Sequence, residues 1–287
     1  MDLIARILFP VDFSRSCVGM SAYVRRAAAM LQARVTLLHV VDPAGFNALE
    51  LYMRSPADVT GDHLAAARER LEEFLHAEFP PTETERMVRT GDASEEIAAA
   101  ARNGFGLVMM PTHAGTFRRM LLGSTTAKVL NDADCPVMTS RHAETIAPRP
   151  LHHREWLCAI GLGEDSERVL GYAQRLAQQA GAHLRIIHAI QTTDRAVPLQ
   201  LDLAERIESE ERARVRERIE ALKARVGSQA AVEIAVGPVK GALLEAARKA
   251  DADVLVIGRS PRPRAQERLR DLTYAMVRDS PYPVVSV

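Results

Sequence analysis

Short apolar runs alternate along this chain with longer stretches in which apolar residues return every three or four positions. The first run, ARILFPV (5–11), predicts a buried strand. Ser14 follows as an N-cap, and the spacing after it predicts a helix to about Gln32. ARVTLLHVV (33–41), TERMVRT (84–90), GLVMM (106–110) and CPVMTS (135–140) predict four more strands. Between the second and third strands the pattern predicts a loop to Thr60, then a helix over HLAAARERLEEFLHAEF. ASEEIAAAARN predicts a helix capped by Asp92 or Ser94, and a further helix runs from Ser124 to Asn131.

The same pattern is then written again. RTGDASEEIAAAARNGFGLVMMP (89–111) matches AVGPVKGALLEAARKADADVLVIG (235–258), and AKVLNDADCPVMTS (127–140) matches YAMVRDSPYPVVSV (274–287). ARVTLLHVVD matches AHLRIIHAIQ, which pairs His39 with His188. The sequence therefore predicts two domains, 1–141 and 155–287, around RHAETIAPRPLHHR. That joint reads as a linker, with a metal site at His142, His152 and His153 as the alternative. Short apolar strands alternating with helices predict an α/β fold: two doubly wound, five-stranded parallel sheets of Rossmann-like type. Ligands of such sheets bind beyond the carboxyl ends of the strands, where the winding reverses.

At that point the chain carries its candidate chemistry. The first strand ends at Pro10, Val11 and Asp12. The fourth ends at Met110 and opens into PTHAGTFRRMLLGST (111–125). A helix starting at Ser124 leaves its first N–H groups for an anion, and Gly123 lets a phosphate approach the backbone. Ser124 and Thr125 add hydroxyls, and Arg118 and Arg119 add charge. Asp12 suits the sugar hydroxyls, because an ionised carboxylate only accepts. Each residue also has a plainer reading: Ser124 as an N-cap, the arginines as a solvated pair, Asp12 capping the first helix in place of Ser14, His39 as a packed histidine. Cys17 lies in a first helical turn, where a thiol pKa can be lowered.

ILFPVDFS, LLHVVDP, TGDASEEI, PTHAGTFRRMLLGSTTAKVL and DCPVMTS together resemble the universal stress protein family in its tandem two-domain form, over nearly the whole chain. Nucleotide-binding members carry Gly-x2-Gly-x9-Gly-Ser/Thr after the fourth strand. The resemblance implies ATP, with Mg²⁺; no general base or metal-binding carboxylate cluster converges on the γ-phosphate position, so the expected role is binding, with at most slow hydrolysis. It puts Asp12 at the ribose, Val40 or Val41 at the adenine, and Gly123, Ser124 and Thr125 at the phosphates. Pro10, Met110, His113, Gly115 and Arg118 complete the candidate site. Here Pro111 and Ala114 replace the first two glycines, and the second interval is one residue short. The alternative is a scaffold, or a protein that binds another anion or small ligand. In the second repeat GLGEDS sets Leu162 opposite Asp12, and Asp271-Leu272-Thr273 replaces Gly-Ser/Thr, so that repeat reads as structural. In this family paired domains often meet through their last strands, here CPVMTS and YPVVSV, and a homodimer is left open.

Composition changes this picture little. The 37 Lys and Arg balance the 37 Asp and Glu, so no bulk field draws nucleic acid or a membrane surface. Three cysteines without CxxC spacing, and no long apolar run, suit a reduced, cytoplasmic protein. GxxxxGK[ST], GxGxxG after the first strand and GxSxG are absent. The charged stretch LDLAERIESEERARVRERIEALKARV predicts a solvated helix, with a coiled-coil partner as the alternative.

Overall fold

The structure is a computed structural model and describes residues 4–112, 122–140, 154–191, 201–259 and 272–287. The chain divides into two compact units, Met1–Leu151 with Val277–Pro281, and His152–Met276 with Tyr282–Val287. In the first, β1 (Arg6–Pro10), β2 (Arg34–Val41), β3 (Glu85–Thr90), β4 (Leu107–Pro111) and β5 (Val137–Ser140) lie in the order β3-β2-β1-β4-β5. Every pairing among them is parallel. The order reverses between β1 and β4, as a doubly wound sheet requires. Ile7, Leu8, Phe9, Leu107, Val108 and Met109 are fully or almost fully buried. These central strands have helices on both faces, which is why they read as unbroken apolar runs. Each such side chain contributes about 1.5–3 kcal/mol by leaving water.

α1 (Arg15–Leu31) starts at Ser14, whose side chain accepts from the Cys17 N–H, so Ser14 and not Asp12 is the N-cap. α4 (Ala93–Ala101) is capped by Asp92, whose Oδ1 accepts from the N–H groups of Ser94 and Glu95. α5 (Ser124–Asp132) follows Gly123.

One stretch departs from expectation. The segment after β2 is not a loop to Thr60. It holds a 3₁₀ turn (Pro43–Gly45), α2 (Ala48–Met53) and α3 (Pro56–Glu73). Ser55 accepts from the Asp58 N–H, and Pro56 fills the first helical position, where its missing N–H costs nothing. Asn47 caps α2 in the same way. α3 also stops before Phe79. The chain turns through Leu75, in the left-handed region at φ 53°, and buries Phe79 against Phe9.

The second unit repeats the plan. β6 (Glu155–Ala159), β7 (His183–Ile190), β8 (Ala231–Val236), β9 (Val254–Ile257) and β10 (Val284–Ser286) lie in the order β8-β7-β6-β9-β10. These pairings are parallel too. α6 (Ser166–Ala180), α7 (Leu201–Val226), α8 (Val239–Lys249) and α9 (Leu272–Asp279) fill the remaining positions. The charged helix is α7. Val215, Ile219 and Leu222 form its buried stripe, while Arg212–Glu208 and Arg214–Glu210 pair on its exposed face.

Asp92 ties two helices of the first unit together. Its Oδ2 lies 3.2 Å from Lys128 Nζ on α5. Hydrogen bonds from the Ser94 side chain, then the Glu95 N–H and Lys128, hold its carboxyl down at about 2. Replacing Asp92 by Ala is expected to cost about 1 kcal/mol at pH 7, because a helix loses its cap. The Lys128 ion pair adds little, being exposed. A pKa depressed on folding stabilises above the unfolded value of about 3.9 and stops doing so as pH falls through the folded one. Thermal melts of wild type and Asp92→Ala should therefore converge between pH 4 and pH 2. Curves that stay parallel over that range would contradict the assignment.

Candidate functional site

The carboxyl ends of β1 and β2 differ in length, and that difference makes the site. Pro10 is the last residue of β1 in the ladder, opposite Leu38. The Val11 N–H still reaches the Leu38 carbonyl, at 2.8 Å. β2 runs on through His39, Val40 and Val41, paired on its other side with Val88, Arg89 and Thr90 of β3. In a parallel strand, alternate residues turn both backbone groups to alternate sides. Leu38 faces β1 and Val41 faces β3, where its carbonyl accepts from the Gly91 N–H at 3.1 Å. Val40 therefore turns its N–H and C=O toward β1, beyond the point where β1 has stopped. Of the two valines singled out from sequence, Val40 has the open edge among the described residues.

A cavity of about 330 Å³ adjoins this edge, lined by Phe13, His39, Val40, Val41, Phe46, His63 and Arg70 among others. Its rings brace one another. Phe13 lies 4.3 Å from His39 and 5.2 Å from Phe74 between centroids, and the Arg70 guanidinium sits 4.1 Å above Phe13. Phe46 stacks on His63 at 4.3 Å. His39 Nδ1 is 2.8 Å from the Val11 carbonyl, so Nδ1 carries the proton and donates. The packed-histidine reading of His39 holds. A larger cleft, about 1180 Å³, lies at the amino ends of β1 to β3 around Arg6, Arg34 and Glu85. It is away from the switch point, so its size gives it no claim here.

Asp12 follows β1 and is exposed. Its Oδ1 accepts from the Ser14 N–H at 3.0 Å and lies 3.1 Å from Cys17 Sγ. Among the described residues nothing bonds to Oδ2. Cys17 is buried, and its thiol is pushed up to about 12 by that burial and then by the Asp12 charge. Desolvation and the neighbouring carboxylate outweigh the lowering that a first helical turn can give.

On the other side of the switch point, the Gly123 N–H reaches the Thr112 carbonyl at 2.9 Å, and the Thr126 hydroxyl donates to the Pro111 carbonyl at 3.1 Å. These bonds fix the start of α5. Gly123 occupies the N-cap position with no side-chain cap, and Ser124 is already helical and exposed. Ser124 is thus not an N-cap, and among the described residues no side chain caps the first turn of α5. Met110 is buried in β4 opposite Thr139 of β5. His113, Ala114, Gly115, Arg118 and Arg119 lie outside the described residues, as do His142, His152 and His153.

The second unit repeats the frame with different groups among the described residues. His188 Nδ1 meets the Ile160 carbonyl at 2.8 Å, and the Thr273 hydroxyl the Gly258 carbonyl at 3.1 Å, repeating His39–Val11 and Thr126–Pro111. Leu162, at φ 57°, repeats Phe13, at φ 62°. Gly161, not Leu162, is therefore the counterpart of Asp12. At the end of β9, a Cβ on Gly258 would meet Asp165 Oδ2 at 2.9 Å, so a carboxylate already stands over that strand end.

Sequence reasoning missed Phe13, Phe46, His63 and Arg70 as cavity walls. The signal was present in SPAD (55–58), a Ser N-cap with Pro first and an acid third, which starts α3 early enough to bring His63 alongside the end of β2.

A parallel sheet of this order, with its crevice at the β1/β4 reversal, defines a Rossmann-like α/β protein, here present in two copies. The sequence model of the universal stress protein family matches residues 4–141 and 154–287, and the chain belongs to that family. A curated relative, universal stress protein A homolog 1 of Coxiella burnetii, is 29% identical over 114 residues, 38% of this chain and 77% of that protein. Among solved structures, a universal stress protein from Archaeoglobus fulgidus superposes with a TM-score of 0.73 at 21% identity, covering 98% of this chain and 97% of its own. A universal stress protein structure from Pseudomonas aeruginosa gives 0.61 at 22% identity, over 99% and 93%. These likenesses establish the fold. Among the described residues no helix is long and apolar enough to cross a membrane.

Proposed function

We propose that the protein is a cytoplasmic stress-response regulator whose first repeat binds an adenine nucleotide, ATP with Mg²⁺, and that the bound state is its signal. The observation that carries this reading is the open Val40 edge beside a cavity of 330 Å³, at the strand ends where Asp12 and the start of α5 also lie, the latter with no side-chain cap among the described residues. The adenine would enter between the Phe13 and Phe46 walls and meet the Val40 backbone. Asp12 would accept from the ribose hydroxyls through Oδ2. Gly123, Ser124 and Thr125 would receive the phosphates, which bring their own Mg²⁺. Binding, with at most slow hydrolysis, is the role we assign. The second repeat, with Gly161 for Asp12 and Asp165 over its strand end, supports the frame without a nucleotide of its own.

A second reading is favoured by Pro111, which ends β4 and has no N–H to offer a phosphate. On that reading the α5 start holds a smaller anion. Titration calorimetry of the full chain with ATP and Mg²⁺ separates the two. Saturable heat with Kd in the millimolar range or below is expected. No heat from a folded sample, together with a thermal shift from sulfate alone, would replace the nucleotide by a simple anion.

A further inference from the structure

We propose that Cys17 is a positioning residue for the Asp12 carboxylate, holding one oxygen so that the other stays turned outward for the sugar hydroxyls of a bound nucleotide. This inference rests on the nucleotide reading above and names a residue that reading does not use.

Cys17 sits in the first turn of α1 with 2% of its surface exposed. Its backbone N–H is held by Ser14 Oγ at 3.3 Å, which fixes where its side chain starts. Its Sγ lies 3.1 Å from Asp12 Oδ1 and 3.9 Å from the Pro10 carbonyl, so the carboxylate is the nearer acceptor. The thiol stays protonated and can donate. Oδ1 thus receives two donors, the Ser14 N–H from the chain and the Cys17 S–H from beneath. With both on one oxygen, the carboxylate has a single preferred rotation. Oδ2 is then left with its lone pairs free of every described residue.

The second repeat supplies an internal control. The left-handed pairs Phe13 and Leu162, and the helix C-caps Gln32 and Gly181, recur at one constant spacing. The same spacing pairs Asp12 with Gly161 and Cys17 with Ser166. Ser166 is 4% exposed, and its hydroxyl has no partner among the described residues. Where the carboxylate is missing, the buried donor is left without its acceptor. Cys17 and Asp12 therefore behave as one unit, not as a core residue beside an unrelated acid.

The test compares ATP with 2′,3′-dideoxy-ATP on the full chain of wild type, Cys17→Ala and Cys17→Ser, by titration calorimetry with a thermal melt of each. Wild type is expected to prefer ATP by tenfold or more. In Cys17→Ala, ATP should weaken about tenfold while the dideoxy nucleotide is unchanged, since one charge-assisted bond orienting the acceptor is lost. Cys17→Ser, which keeps a donor, should retain most of the preference. An unchanged ATP preference in Cys17→Ala overturns the inference, and so does an equal loss for both nucleotides with a lowered melting temperature. Wild type that binds neither nucleotide overturns the nucleotide reading itself, a failure distinct from the other two.

Discussion

Replacing Asp12 by Asn is expected to weaken ATP binding about a hundredfold while leaving the fold in place. The amide keeps an oxygen where Oδ1 now accepts from the Ser14 N–H and faces the Cys17 thiol. It replaces Oδ2 by an NH₂, which donates and so can no longer accept from the sugar hydroxyls. Two bonds to a charged acceptor are lost, and after exchange with water they are worth roughly 3 kcal/mol, or about two decades in Kd. Asp12→Ala should lose as much binding, and some stability too, because the Ser14 N–H and the buried thiol lose their acceptor. Calorimetric titration of both variants beside wild type checks this. An Asn variant that binds ATP as tightly as wild type would remove Asp12 from the site.

The largest stability effect is expected at Arg86. Its side chain is 3% exposed, its Nε donates to the Leu71 carbonyl at 2.9 Å, and its NH2 donates to the Phe79 carbonyl at 2.8 Å. One guanidinium thereby ties the end of α3 to the turn that buries Phe79, and both to β3. Glu72, 3.8 Å away, is largely exposed and contributes little. Arg86→Met fills similar volume without the donors and leaves two carbonyls unsatisfied, at a cost of about 3 kcal/mol. For a unit of this size that is a fall of roughly 6–12 °C in melting temperature. Arg86→Lys should recover only part of it, since a single ammonium cannot reproduce the planar fork. A change under about 2 °C for Arg86→Met would show that packing alone holds the turn. The same tether steadies α3, which carries His63 and Arg70 along the cavity.

The strands and their order were legible because a parallel sheet buried on both faces writes itself as apolar runs, and these recur in both repeats. The segment between β2 and α3 was not, because its order comes from caps and not from periodicity. Asn47 and Ser55 start helices whose exposed residues, such as Leu49, Tyr52 and Met53, give no amphipathic stripe. Asp12 and the Gly123 start of α5 could be proposed from residue type and position alone. Val40 could not be chosen over Val41, since the choice depends on where β1 stops relative to β2, which is a matter of register. Nor could the surroundings of the Cys17 thiol be read: its place in a helical turn is written in sequence, whereas its burial beneath a carboxylate is tertiary.

On the proposed nucleotide reading, the early stop of β1 also bears on which purine the crevice would admit. Val40 offers an acceptor and a donor in fixed order, from one residue, toward the vacated edge. Adenine answers with an amino group and a bare ring nitrogen. Guanine presents a carbonyl and a protonated ring nitrogen there, the reverse order, so carbonyl would oppose carbonyl and hydrogen oppose hydrogen. Turning the base over would restore the match but swing the sugar away from Asp12. Two polar clashes of that kind cost about 1–3 kcal/mol each. On the proposed nucleotide reading, the length of one strand would act as a filter against GTP without any side chain being devoted to it.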